Sequence, residues 1–194
     1  LQQIDTQVSM TYSHQDKQAV MEKLQAYGVL TPYIVIQPTS RWFFKCWDEH
    51  KWSELIDTLQ QQGHQIVLTS GPDSREKEMV DTIIQGCKTN DSVSLSGQLS
   101  LPQLGALIDN AELFIGVDSV PMHMASALKT PLVALFGPSK LFHWSPWQHI
   151  GEVLWAGNYG ELPDPDDVHT NTQTRYLSLI PVKDVLDAVR RQLK

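Results

Sequence analysis

Three polar clusters in this chain could do chemistry, and each follows an apolar, strand-like run. In the first, Phe114-Ile115-Gly116-Val117 gives way to Asp118, Ser119, Val120, Pro121, Met122 and His123. A strand feeding a helix start offers unpaired N–H groups and the positive end of a helix dipole, which suits phosphate. Ser119 could add a hydroxyl and a backbone N–H. Asp118 repels phosphate but accepts hydrogen bonds from sugar hydroxyls. His123, one turn into the helix, could reach a phosphate or sugar oxygen. The same residues also fit a plain helix cap beside a half-buried structural histidine.

The second cluster is Gln37-Pro38-Thr39-Ser40-Arg41, continuing to Lys45-Cys46-Trp47. Thr39 and Ser40 supply hydroxyls, and Arg41 and Lys45 supply positive charge. Such a loop could hold a diphosphate and neutralise charge growing on it. A solvated basic loop, with Trp42 and Trp47 packed as core, is the alternative. In the third cluster, Ser70-Gly71-Pro72-Asp73 through Glu76, a carboxylate could hold a ribose hydroxyl pair, or the residues form only a turn and a helix cap. Trp144 and Trp147 beside His143 and His149 could stack on a base or be structural.

These clusters need a scaffold that brings strand ends together, and the hydrophobic pattern supplies one. Apolar spacing predicts a helix from about Gln15 to Tyr27, stopped by Gly28. Strands follow at 33–37, 65–69, 93–95, 112–117 and 131–136, with a last one at 152–155. Between them the pattern predicts helices over 48–62, 74–85, 101–108 and 121–128. Ser100 caps the third of these, with Pro102 in its first turn. Residues 1–12 read as loose, 156–175 as a long loop, and a final helix follows Pro181. Strict alternation of strands and helices predicts an α/β fold with a Rossmann-like, doubly wound parallel sheet. Ligands bind such sheets where the strand ends open into polar loops.

Composition narrows the function. A length of 194 residues with 41% hydrophobic content supports one large domain with a real core. The net charge of −7 argues against nucleic acid. Cys46 and Cys87 share no metal or redox spacing, which favours a reduced, cytosolic setting. No apolar run is long enough to span a bilayer, and no signal peptide is visible. There is no glycine-rich phosphate loop, no serine elbow and no metal-ligand spacing.

With these segments in hand, the chain resembles the C-terminal half of the bacterial heptosyltransferases of glycosyltransferase family 9. The likeness runs over about residues 33–155, and the last helix fits too. It rests on Gly116-Val117-Asp118-Ser119-Val120-Pro121-Met122-His123, on Leu135-Phe136-Gly137-Pro138-Ser139, and on Gln37-Pro38-Thr39-Ser40-Arg41 with Lys45-Cys46-Trp47. The Asp-Ser-x-Pro-Met-His and Lys-Cys-Trp runs are most like the type III branch.

The resemblance implies a GT-B architecture whose C-terminal half, residues 33–180 with a helix at 181–194, binds ADP-L-glycero-D-manno-heptose. It implies inverting transfer of heptose to the inner core of lipopolysaccharide, with no cofactor; metal independence is expected because no Asp-x-Asp pair sits at a strand end, Asp164-Pro165-Asp166 lying in the distal loop. By position, Thr39, Ser40 and Lys45 would face the donor diphosphate, with Arg41 in the same loop and Lys45 balancing charge on departing ADP. Asp118 would hold heptose hydroxyls. Ser119 and Val120 would hold phosphate, supported by His123. Asp73 or Glu76 would approach the ribose, and Leu99 or a neighbour the adenine. Val120 stands where many members have glycine, although the type III branch shares this feature.

The resemblance also sets residues 1–32 as an interdomain segment with one helix. It places the acceptor site and general base in an N-terminal domain not found in this sequence, so the chain alone is expected to bind donor without completing transfer. The last helix would then cross to that domain with its apolar face exposed or paired with another copy. The parent enzyme would sit in the cytoplasm or peripherally on the cytoplasmic face of the inner membrane. Two other readings stay open: a UDP-sugar transferase or epimerase of GT-B type, and a non-enzymatic flavodoxin-like module.

Overall fold

Tyr33–Gln37 (β1), Leu113–Val117 (β4) and Leu132–Phe136 (β5) are buried along their whole length, because helices cover both faces of the sheet they share. The computed structural model describes residues 6–89 and 91–193. Gln65–Leu68 (β2), Val93–Ser94 (β3) and Gly151–Trp155 (β6) complete six strands in the order β3-β2-β1-β4-β5-β6, every pair parallel. The predicted doubly wound sheet is present. Its order reverses between β1 and β4, where Ile36 pairs with Ile115 and Gln37 with Gly116.

Alternate strand residues feed two cores, since successive side chains point to opposite faces. On one face Ile34, Ile36, Ile66, Leu68, Ile115 and Val133 meet Glu49–Gln61 (α2), Ser74–Gly86 (α3) and Val182–Gln192 (α7). On the other, Tyr33, Val35, Val67, Phe114 and Ala134 meet His14–Ala26 (α1), Leu101–Asp109 (α4) and Val120–Leu128 (α5). A four-residue helix, Leu141–Trp144 (α6), follows β5. Capping boxes at Ser13/Asp16 and Ser100/Gln103 fix the starts of α1 and α4.

Two expectations need correction. The apolar face of α7 is neither exposed nor waiting for a second copy: Val182, Val185, Ala188 and Val189 are buried in this chain's own core. The sequence pattern showed an amphipathic helix but not what it covers. Residues 6–12 are not loose either. Tyr12 Oη donates to the Asp109 carboxylate, the Trp147 indole donates to the Thr6 carbonyl at 2.9 Å, and Met10 lies against Gly105. The rest of that expectation falls on residues 1–5, outside the described residues. The long loop after β6 contains 3₁₀ turns at Ala156–Asn158, Pro165–Asp167 and Tyr176–Leu179.

Candidate functional site at the sheet crossover

Because β1 and β4 are neighbours, the loops leaving their carboxyl ends meet at the reversal point, where open α/β sheets bind ligands. Pro38 ends β1, and the chain then turns through a 3₁₀ segment, Phe43–Lys45. That turn carries the Lys45 ammonium to 2.6 Å from Asp118 Oδ2, at the end of β4. The side chains of Lys45 and Asp118 are 13% and 5% exposed. Ser139, from the Gly-Pro-Ser loop after β5, donates its hydroxyl to the same Oδ2 at 2.6 Å. Oδ2 is therefore held by two donors, while Oδ1 shows no hydrogen bond among the described residues. The Lys45 ammonium also lies 5.1 Å over the exposed Trp42 ring, which stacks on Phe44.

Asp118 thus does not cap α5. Ser119 occupies the N-cap position with extended backbone and makes no capping bond; its hydroxyl donates to the Val117 carbonyl at 3.1 Å. Pro121 brings no N–H. The first turn of α5 therefore keeps donors without side-chain partners beside the Lys45–Asp118 pair, and Val120 there is exposed. His123 is half-buried, one turn along.

Burial lowers the His123 imidazole below the ordinary histidine range, with Asp118 opposing and Lys45 reinforcing that shift. A histidine with a depressed folded pKa contributes its full stability above the ordinary value, near 6.5, and loses it as pH falls through the folded value. His123→Gln is therefore expected to shrink the drop in melting temperature between pH 7 and pH 5. An unchanged drop would show that His123 does not titrate differently on folding.

The remaining predicted residues divide. Thr39 is fully buried, accepts from Gln37 Nε2 at 2.9 Å and donates to Glu76 Oε2 at 2.6 Å. Its hydroxyl is committed inward, because the chain turns at Pro38 and folds the side chain under α3. Ser40 is buried, and its N–H is directed at Cys46 Sγ at 3.3 Å. Burial pushes the Cys46 thiol up to about 12, so it packs as a thiol. Arg41 is exposed and makes no ion pair among the described residues. Of the two tryptophans, Trp47 is core and Trp42 is not. Asp73 is exposed and caps α3 through the Arg75 N–H, whereas Glu76 turns back toward β1 and accepts the Gly71 N–H at 3.1 Å. Leu99 lies beyond β3, packed against the core under α4.

Two participants went unassigned in the sequence. Ser139 stood inside a recognised motif without a role, and its place after the second strand end was the available signal. Gln37 was read as part of β1, and nothing local marks its amide.

Comparison with known proteins adds an independent line. A family model described as glycosyltransferase family 9 (heptosyltransferase) matches residues 1–174. The chain is 45% identical over 188 residues, 97% of its length, to lipopolysaccharide heptosyltransferase 3 of Escherichia coli strain K12, covering 54% of that protein. The glycosyl transferase family 9 structure from Veillonella parvula DSM 2008 superposes with a TM-score of 0.84 at 22% identity, over 100% of this chain and 56% of that one. The E. coli ADP-heptose lps heptosyltransferase II structure gives 0.74 at 24% identity, over 95% and 53%. The two structures share the fold. The chain spans about half the length of the E. coli heptosyltransferase 3 relatives it matches.

Proposed function

The chain belongs to glycosyltransferase family 9, and from that membership we propose that it is the donor-binding half of an inverting heptosyltransferase acting on the inner core of lipopolysaccharide. The donor is ADP-L-glycero-D-manno-heptose. The observation that carries this reading is the Lys45–Asp118–Ser139 unit at the sheet crossover, beside an α5 start whose N-cap side chain makes no cap.

The geometry suits each part of such a donor. The Lys45 ammonium and the first turn of α5 supply positive charge for a diphosphate, and Ser40, Ser119 and Arg41 border it. When the glycosidic bond breaks, negative charge grows on the departing ADP, and Lys45 stabilises it electrostatically. The open Oδ1 of Asp118 accepts from sugar hydroxyls, with Ser139 and Lys45 fixing the carboxylate. In this reading Glu76 approaches the ribose, and Leu99 or a neighbour the adenine. The acceptor site and general base lie outside this chain.

In this reading Lys45 and the first turn of α5 take the place of a divalent ion at the diphosphate. The enzyme would work at the cytoplasmic face of the inner membrane. No helix among the described residues is long and apolar enough to cross a membrane.

Calorimetric titration tests the proposal. ADP-heptose and ADP are expected to bind at least about tenfold more tightly than UDP or UDP-glucose, a difference of roughly 1.4 kcal/mol. Affinity should be equal in magnesium and in EDTA. Tighter binding of UDP would overturn the assignment in favour of another GT-B enzyme.

A further inference from the structure

We infer that Gln37 is a positioning residue for nucleotide recognition. A one-way chain of hydrogen bonds, Thr69 to Gln37 to Thr39 to Glu76, aims the Glu76 carboxylate at the hydroxyl pair of the donor's ribose. This deepens the preceding reading and rests on its placement of Glu76 at the ribose.

Every link in the chain is short. Thr69 Oγ1 donates to Gln37 Oε1 at 2.7 Å, Gln37 Nε2 donates to Thr39 Oγ1 at 2.9 Å, and Thr39 Oγ1 donates to Glu76 Oε2 at 2.6 Å. Thr69, Gln37 and Thr39 are 1%, 3% and 0% exposed. Buried polar groups persist at little cost only when fully bonded, and these three are.

The direction of the chain follows from its end. An ionised carboxylate can only accept, so the Thr39 hydrogen must point to Glu76. Thr39 Oγ1 must then receive from Gln37, which turns the amide nitrogen toward Thr39 and its oxygen toward Thr69. Reversing the amide would draw the Thr39 hydrogen to Gln37 and strip Glu76 of a donor. The other β1 residues, Tyr33 to Ile36, serve the two cores, whereas Gln37 serves this chain.

The outcome is a carboxylate with one committed and one free oxygen. Oε2 takes both the Thr39 hydroxyl and the Gly71 N–H, while Oε1 shows no hydrogen bond among the described residues. Glu76 sits at the third position of α3, where a glutamate commonly reaches back to its own N-cap. Here it is turned toward β1 instead. Gly71 keeps that approach open, since a Cβ there would come within 2.8 Å of Oε1. An acceptor fixed in this way selects hydroxyl donors and repels anions, which is the chemistry of a ribose diol and not of a phosphate.

The test compares ADP with 2′,3′-dideoxy-ADP by nuclear magnetic resonance titration of the chain up to millimolar nucleotide. The wild-type chain is expected to favour ADP about tenfold, the scale of one hydrogen bond to a charged group. Gln37→Leu and Thr39→Val should reduce that preference to under about twofold, while Thr39→Ser keeps it. Pyrophosphate should bind wild type and variants alike, because Lys45 and α5 are untouched. Thr39→Val is nearly isosteric and allows the measurement even where Gln37→Leu fails to fold. A full ADP preference in Thr39→Val overturns the role of the chain while leaving the nucleotide reading intact. A wild-type chain that binds neither nucleotide, or does not distinguish them, overturns the ribose placement and this inference with it.

Discussion

Lys45→Met is expected to weaken ADP binding by about tenfold to a hundredfold, the range of a hydrogen bond to a charged group. It should also destabilise the chain, and the two effects must be separated. The pair is nearly buried, so methionine leaves the Asp118 carboxylate, among the described residues, with only the Ser139 hydroxyl as a side-chain partner. Orphaning a buried charge costs about 3–5 kcal/mol. The double variant Lys45→Met/Asp118→Asn removes the orphaned charge, and part of the lost stability should return in denaturant unfolding. ADP affinity should stay low in the double variant, because the diphosphate still lacks its cation. Recovery of ADP affinity together with stability would show that Lys45 serves the fold and not the ligand.

The second large effect concerns Gly151, the first residue of β6. Its φ is +124°, and a Cβ would come within 1.9 Å of the Leu132 carbonyl oxygen and 2.8 Å of the Leu132 nitrogen. Both atoms are backbone in β5, so no side chain can move aside. Gly151→Ala is expected to cost more than about 3 kcal/mol, read as a lowered urea midpoint. Gly63 is the control: its φ is +92°, but a Cβ there meets nothing within 4 Å, so alanine should cost only about 1 kcal/mol. The lesion would also reach the site. Among the described residues β6 pairs only with β5, and Trp155 on β6 donates its indole N–H to the Gly137 carbonyl at 3.1 Å. Displacing β6 loosens the Gly137-Pro138-Ser139 loop that holds Asp118. Equal costs at Gly151 and Gly63 would show that the close approach does not decide stability.

Most of the sheet was legible in the sequence because β1, β2, β4 and β5 are short, largely apolar runs bounded by proline, glycine or polar residues. Tyr33 to Gln37 and Leu132 to Phe136 could hardly be anything else. The general place of the site followed from strand ends: Lys45 and Asp118 meet at the crossover, while Glu76 bonds Thr39 and Gly71. What stayed hidden depended on side-chain direction. Thr39 read as a phosphate ligand because a threonine after a strand end offers a hydroxyl, yet its hydroxyl is turned beneath α3. Ser139 had no role because its partner lies across the sheet. The destination of α7 was not visible because an apolar helical face looks the same whether its cover is in the chain or elsewhere.

The place of β1 in the middle of the sheet has a consequence for how the molecule comes into being. On synthesis β1 can pair at once with β2, where Tyr33 meets Gln65, but its other edge waits until Leu113 to Val117 have emerged. Such non-local parallel pairing is slow, and an unpaired edge is a template for aggregation. Truncations ending before Val117 should therefore be insoluble rather than merely inactive. Lys45 arrives with the early half of the sheet and Asp118 with the late half, so the binding site comes into existence only at the moment the two halves join.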